Sequence, residues 1–221
     1  MSEALESSAD TALGVVGVDD LRRQSVERLM SRCDFPRAHA DQVHFLADRL
    51  AAQLARQLLL GPEARQILSY AALLHDIGWH FGRTRHHRHA YNLITTGGLS
   101  GFTPDQIEMI ALVARYHRRA RPKLKHQPLA RLNTMDRETV TRLAALLRVA
   151  DGLDRGHRAA IQDVAVRLDD RRALLMLQPR VDDVNVELQA AGRKKKLLES
   201  VLRRAVVFSI GPDRPERGPQ P

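Results

Sequence analysis

The chain has 221 residues, 43% of them hydrophobic and 4% aromatic, with one cysteine and a net charge of +9. That length and apolar content support one substantial domain with a packed core of Leu, Ala and Val, and exclude general disorder. No apolar run reaches the roughly 18 residues of a membrane span, and the lone Cys33 excludes an internal disulfide, which fits a reducing cytoplasm. The charge rests on 30 Arg and only five Lys. Genome base composition accounts for such a skew; so does an anionic partner. The lack of an aromatic RNA-binding motif, zinc-finger spacing or a recognition helix argues against nucleic acid as the main ligand.

The opening "MSEALESSADTALGVVGVDD" has neither a basic start nor a long apolar segment, so no secretory signal is expected and residues 1–17 read as a disordered tail. A helix begins near Asp19 and runs through "LRRQSVERLMSRC". Pro36 suits the first turn of a second helix, which places Val43, Leu46, Leu50 and Leu54 on one stripe and stops at Gly61-Pro62. "EARQILSYAALLHDIG" is a third helix, ended by Gly78; residues 79–85 form a loop, and 86–96 a short helix before Gly97-Gly98. Thr103 caps the next helix, "PDQIEMIALVARYHRRA", with Pro104 in its first turn. Residues 121–134 are a loop, and "DRETVTRLAALLRVADGLDR" is a long helix.

After Gly156 the period changes. "IQDVAVRLDD" and "ALLMLQP" alternate apolar and polar residues around a charged turn and read as a hairpin. "NVELQAAGRKKKLLESVLRR" is helical, "AVVFSI" is a strand, and 211–221 is a second disordered tail. The expected fold is mainly α: a helical domain over 18–158, then a small α+β appendage of hairpin, helix and strand over 159–210.

The stretch "LLHDIGWHFGRTRHHRHAYNLI", Leu73 to Ile94, holds five of the ten histidines. Several polar residues elsewhere continue apolar rows. His39 lies four before Val43 and seven before Leu46; His75 lies seven after Leu68, with Asp76 beside it. His117 lies four after Val113, and Asp151 lies four after Leu147. His44 is one position off its stripe and is the weaker candidate. One histidine on an apolar face is commonly a hydrogen-bonded core residue, and a buried aspartate can pair with an arginine. Such residues on four separate helices point instead to a metal, because a buried charge is expensive unless it is paired or ligated. Mixed imidazole and carboxylate donors suit one or two divalent ions of Mn, Fe, Zn or Mg, and no thiolate cluster is present.

His39, then His75-Asp76, then Asp151 resembles the H…HD…D pattern of the HD superfamily of metal-dependent phosphohydrolases. "AALLHDIG", "HHRHAYNLI", "GFTPDQIEMIALVARYHRRARPK" and "LLRVADGLDRGH" resemble the C-terminal domain of the exopolyphosphatase / guanosine-pentaphosphate phosphohydrolase (Ppx/GppA) family over about residues 25–210. The printed residues hold no counterpart of that family's actin-like N-terminal domains, which carry its phosphatase site. The resemblance therefore implies a helical HD-type bundle and the four ligands His39, His75, Asp76 and Asp151. Two-metal members of the superfamily add two histidines from the intervening helices, and His89 and His117 fall there, with His86 and His87 competing for the first place.

On that basis Asp76 would bridge two ions, and a hydroxide held between them would attack phosphorus. Arg118, Arg119, Lys123, Arg155 and Arg158 are candidate phosphate contacts, with Arg155 foremost because it follows Asp151 by one turn. Asp76 and Arg155 are the candidate catalytic residues. "RKKK" at 193–196 reads as a solvated helix face in preference to a polyanion site. Trp79 and Phe81 either wall the pocket or pack in the core. The expected activity is metal-dependent hydrolysis of a nucleotide or another phosphorylated small molecule. The alternative is a non-catalytic module that binds polyphosphate or a guanosine alarmone. An exposed hairpin could mediate a homodimer.

Overall fold

The structure, a computed structural model, describes residues 17–118 and 121–211. The expected tails at 1–17 and 211–221 therefore lie outside the described residues except at their inner ends. The elements run α1 (Val18–Ser31), α2 (Arg37–Leu54), α3 (Pro62–Leu74), a 3-10 turn (Ile77–Phe81), α4 (His86–Thr96), α5 (Pro104–Tyr116), α6 (Gln127–Arg131), α7 (Thr134–Leu153), β1 (Ile161–Leu168), β2 (Arg172–Pro179), α8 (Asn185–Lys194), α9 (Lys196–Leu202) and β3 (Ala205–Ile210). The protein is mainly α, a helical bundle followed by a small α+β appendage, as its sequence periodicity implies.

Local chemistry explains most boundaries. Thr103 and Gln106 form a reciprocal capping box at the start of α5, and Asn133 caps α7 through the Asp136 amide. Two departures from the periodicity have simple causes. Pro128 sits in the first turn of α6 inside the expected 121–134 loop, where it nucleates one short helix. The single helix read over 185–204 is interrupted at Lys195, which separates α8 from α9.

A single buried cluster joins Val43, Leu46 and Leu50 of α2, Leu68 of α3, Ile110 and Val113 of α5 and Leu143 and Leu147 of α7. It continues into Ile161, Val164, Leu175, Leu177, Val206 and Leu198. Burying each such side chain contributes about 1.5–3 kcal/mol. In α7 every residue from Leu143 to Leu153 is buried, so Arg148 and Asp151 face protein rather than water.

The appendage docks by specific contacts. β1 pairs antiparallel with β2, and β3 adds parallel on the other side of β2. The outer edge of β1 lies along α2. There the Gln53 amide imitates a neighbouring strand: it donates to the Val164 carbonyl at 2.9 Å and accepts from the Val166 N–H at 2.8 Å, satisfying edge groups that would otherwise be open. Arg49 pairs both guanidinium arms with Asp163, at 2.7 and 2.8 Å. On the far side α8 crosses α7 at a glycine, since a Cβ on Gly152 would lie 2.7 Å from the Ala191 Cα.

Candidate metal centre

Five buried side chains from the bundle converge where α2, α3, α4, α5 and α7 meet: His39, His75, His86, His117 and Asp151, with buried Asp76 at their centre. Asp76 follows the end of α3 in the sparsely populated bridge region of backbone space, φ −109° and ψ 6°. Gly78 then lets the 3-10 turn lie directly on α4, because a Cβ there would be 2.1 Å from the His86 carbonyl oxygen. This contact brings Asp76 to His86 at 3.1 Å.

Asp76 faces two ways. Its Oδ2 lies 3.8 Å from His39 Nε2 and 3.7 Å from His75 Nε2. Its Oδ1 lies 3.1 Å from His86 Nε2 and 3.6 Å from His117 Nε2. Asp151 Oδ1 is 3.5 Å from His39 Nε2. The donor atoms of His39, His75 and Asp151 lie within 4.8 Å of one another, as do those of Asp76, His86 and His117, and those of His39, Asp76 and His157.

The other ring nitrogens fix the tautomers. His75 Nδ1 lies 2.7 Å from the Ala72 carbonyl, His86 Nδ1 2.9 Å from that of Arg83 and His117 Nδ1 2.5 Å from that of Ala114. A carbonyl can only accept, so the Nδ1 atoms of His75 and His117 carry the hydrogen and their Nε2 turns a lone pair inward, while His86 Nδ1 also faces the Arg118 guanidinium at 3.3 Å. His39 Nδ1 makes the same kind of bond to the Asp154 carboxylate at 2.8 Å. His75 Nε2 and Asp76 Oδ1 are left as buried acceptors without donors. His39 Nε2, His75 Nε2 and Asp76 Oδ1 have no hydrogen-bond partner, and the Nε2 atoms of His86 and His117 face each other at 3.3 Å. Such acceptors are costly in a dry interior unless a cation sits among them. These residues fit a divalent metal by donor type, by tautomer and by the hydrogen bonds that orient each ring.

The electrostatics agree. Burial pushes the Asp76 carboxyl upward, but His75, His86 and His117 around it hold it far below the usual carboxylate range. Burial opposes ionisation of Asp151 too, and Lys194 with His39 overcomes it. Burial holds His75 below its ordinary value, and burial with neighbouring His75 lowers His117 to about 3, so both rings are neutral as metal ligation requires. His39 differs. Burial works against its charged form, yet Asp151 and Asp154 raise it to about 9, so a metal bound at His39 Nε2 would displace a proton.

A cavity of about 380 Å³ opens onto this cluster, lined by Asp76, His86, His117 and Asp151 and by the cations Arg83, Arg85, Arg118, Arg155 and Lys194. Arg118 and Arg155 both line it. Trp79 lines the same cavity with the Arg83 guanidinium 4.6 Å over its ring. Phe81 neither walls the cavity nor packs in the core; it is 61% exposed and lies against His80 and His89. Arg158 points to the Asp183 carbonyl and Glu187. Lys123 lines a separate surface depression, and Arg119 lies outside the described residues.

His89 is not brought to the cluster; His86 is. The fully buried row of α4 is His86, Ala90 and Ile94; the row through His89 and Leu93 is only partly buried. His44 is likewise remote, bonded to Ser69 at 2.8 Å. Three nearby residues were not anticipated. Asp154, three after Asp151, orients His39, and His157 stacks on His39 with centroids 3.8 Å apart. Lys194 of the appendage forms an ion pair with Asp151, so the basic cluster at 193–196 is only partly a solvated face. Its signal was present as Glu187, Ala190, Ala191 and Lys194 at helical spacing, a polar-ended stripe on one face of α8.

A family model described as Ppx/GppA phosphatase, domain III, matches residues 21–205. The chain is also similar to a guanosine-5'-triphosphate,3'-diphosphate pyrophosphatase of Aeromonas hydrophila subsp. hydrophila, 30% identical over 132 residues. That match takes in 59% of this chain and 26% of the relative, so the chain spans about a quarter of the length of the curated relative it matches. Among the described residues no helix is long and apolar enough to cross a membrane.

Proposed function

The chain belongs to the Ppx/GppA phosphatase domain III family, and we propose that it is a divalent-metal-dependent phosphohydrolase of HD type. Its substrate class is a nucleotide or another phosphorylated small molecule. The observation that carries this reading is the inward set of unpartnered Nε2 and carboxylate atoms beneath a cation-lined cavity. His39, His75 and Asp151 would hold one ion, Asp76, His86 and His117 a second, with Asp76 facing both groups. Bound there, Mn, Fe, Zn or Mg supplies Lewis-acid activation of water and of a phosphoryl oxygen.

The protein's own residues do the rest. Asp154 and the carbonyls of Ala72, Arg83 and Ala114 lock the imidazoles with Nε2 inward, so no ring must rotate when the site is loaded. Arg118 and Arg155 bind the phosphoryl group and offset the charge that grows on its oxygens during hydrolysis. Trp79 walls the cavity beside Arg83.

The test offers nucleotides, guanosine alarmones, cyclic nucleotides and polyphosphate to the purified protein with Mn. Turnover of one class, lost in Asp76→Ala, is the expected result. A second reading is a non-catalytic polyphosphate- or alarmone-binding module, which the cations around the cavity also suit. Tight polyphosphate binding without turnover, indifferent to Asp76→Ala, would select it.

A further inference from the structure

We propose that Lys194, ion-paired with Asp151, is an anion-binding residue of the same cavity, handed to the phosphoryl oxygens of the ligand once an ion takes Asp151. This rests on the metal reading above and adds a residue that the α+β appendage, not the bundle, supplies.

Its position is built. The inward face of α8 carries Glu187, Ala190, Ala191 and Lys194, a spacing of two helical turns. At one end Glu187 is fully buried and accepts the Gly156 N–H at 3.1 Å. In the middle Ala191 lies against Gly152, one residue beyond Asp151. At the other end Lys194 reaches Asp151, its side chain 23% exposed. The neighbouring lysines do something else: Lys195 pairs with Glu199 and the Val206 carbonyl, and Lys196 is exposed.

The charge of Lys194 is met by Asp151. Asp151 is a buried carboxylate that needs a cation, and Lys194 provides one. A divalent ion on Asp151 supplies that charge instead and repels the ammonium. Lysine is a compact charge on a flexible stem and can turn. The cavity it turns into already contains Arg118 and Arg155, which leaves an uncompensated cluster of cations suited to a phosphate or phosphate ester.

Removing the charge should therefore move two affinities in opposite directions. Lys194→Met keeps the stem, and Lys194→Gln also keeps a hydrogen-bond donor for Asp151 should the first variant fail to fold. Calorimetric titration with Mn alone should give a dissociation constant about tenfold lower than wild type. Titration of Mn-loaded protein with inorganic phosphate should give one about tenfold higher, the usual scale of one charge-assisted hydrogen bond. Lys194→Arg should bind phosphate nearly as wild type. If both affinities weaken together with a lower Tm, Lys194 is a structural pin for α8 and the proposal is overturned; unchanged affinities overturn it equally. Wild-type protein that binds no Mn would bring down the metal reading itself, a result distinct from either.

Discussion

The two halves of the cluster are held in different ways. In the first half, His39 of α2 and Asp151 near the C-terminal end of α7 have long-range bracing, from the Asp154 carboxylate and from Lys194 of the appendage, while His75 at the end of α3 is held locally by the Ala72 carbonyl. His86 and His117 sit at helix ends, at the start of α4 and just past α5, and are braced by carbonyls three residues back in their own chain segment. The first half depends on how separate elements pack. The second depends on local backbone, on one glycine contact, and on Arg148, which donates to the Tyr116 carbonyl at 2.7 Å. A shared Asp76 lets one site combine a half set by tertiary packing with a half set by turn chemistry.

This division can be broken directly. The largest effect is expected from His117→Ala, which should cost one bound ion and leave the other, read by elemental analysis of metal-saturated protein. Loss of both ions would mean that the halves are one unit. Gly78→Ala comes next. Its Cβ would press on the His86 carbonyl, so unfolding in urea should show a loss of about 3 kcal/mol, the upper range for overpacking. The remaining folded protein should be impaired in the His86 half first.

Asp154→Asn tests the other half. It removes the carboxylate that orients His39 and should weaken metal binding about 10- to 100-fold without changing the stoichiometry. An unaltered dissociation constant would show that packing alone orients His39. The smallest effect belongs to the Arg49–Asp163 pair that joins α2 to β1. Its hydrogen bond with Arg49 holds the Asp163 carboxyl below the usual carboxylate value. The stabilisation is therefore fully present above the unfolded-state value near pH 4 and fades as pH falls through the folded one. Both side chains are solvent-accessible, so Asp163→Asn should cost only about 0.2–1 kcal/mol at pH 7, and the difference from wild type should shrink on acidification. A gap that widened in acid would contradict the assignment.

The residue pattern alone exposed the helical rows, the hairpin, the Thr103 cap and the polar residues that interrupt apolar stripes at His39, His75, His117 and Asp151. Those are local facts: a residue four or seven positions from a buried leucine shares its face, whatever packs against it. The choice between His86 and His89 was not local, because α4 is short, begins in a histidine run and has two plausible rows; only contact with the 3-10 turn through Gly78 selects one. Asp154, His157 and Lys194 likewise could not be assigned from spacing. Their roles exist only because α7, α8 and the loop between α7 and β1 meet around Asp151. The sequence by itself determined the main elements and, outside α4, which face of each is buried, since that follows from helix and strand geometry. Tertiary structure decided which buried polar groups share a cavity, since that distance depends on how the elements cross.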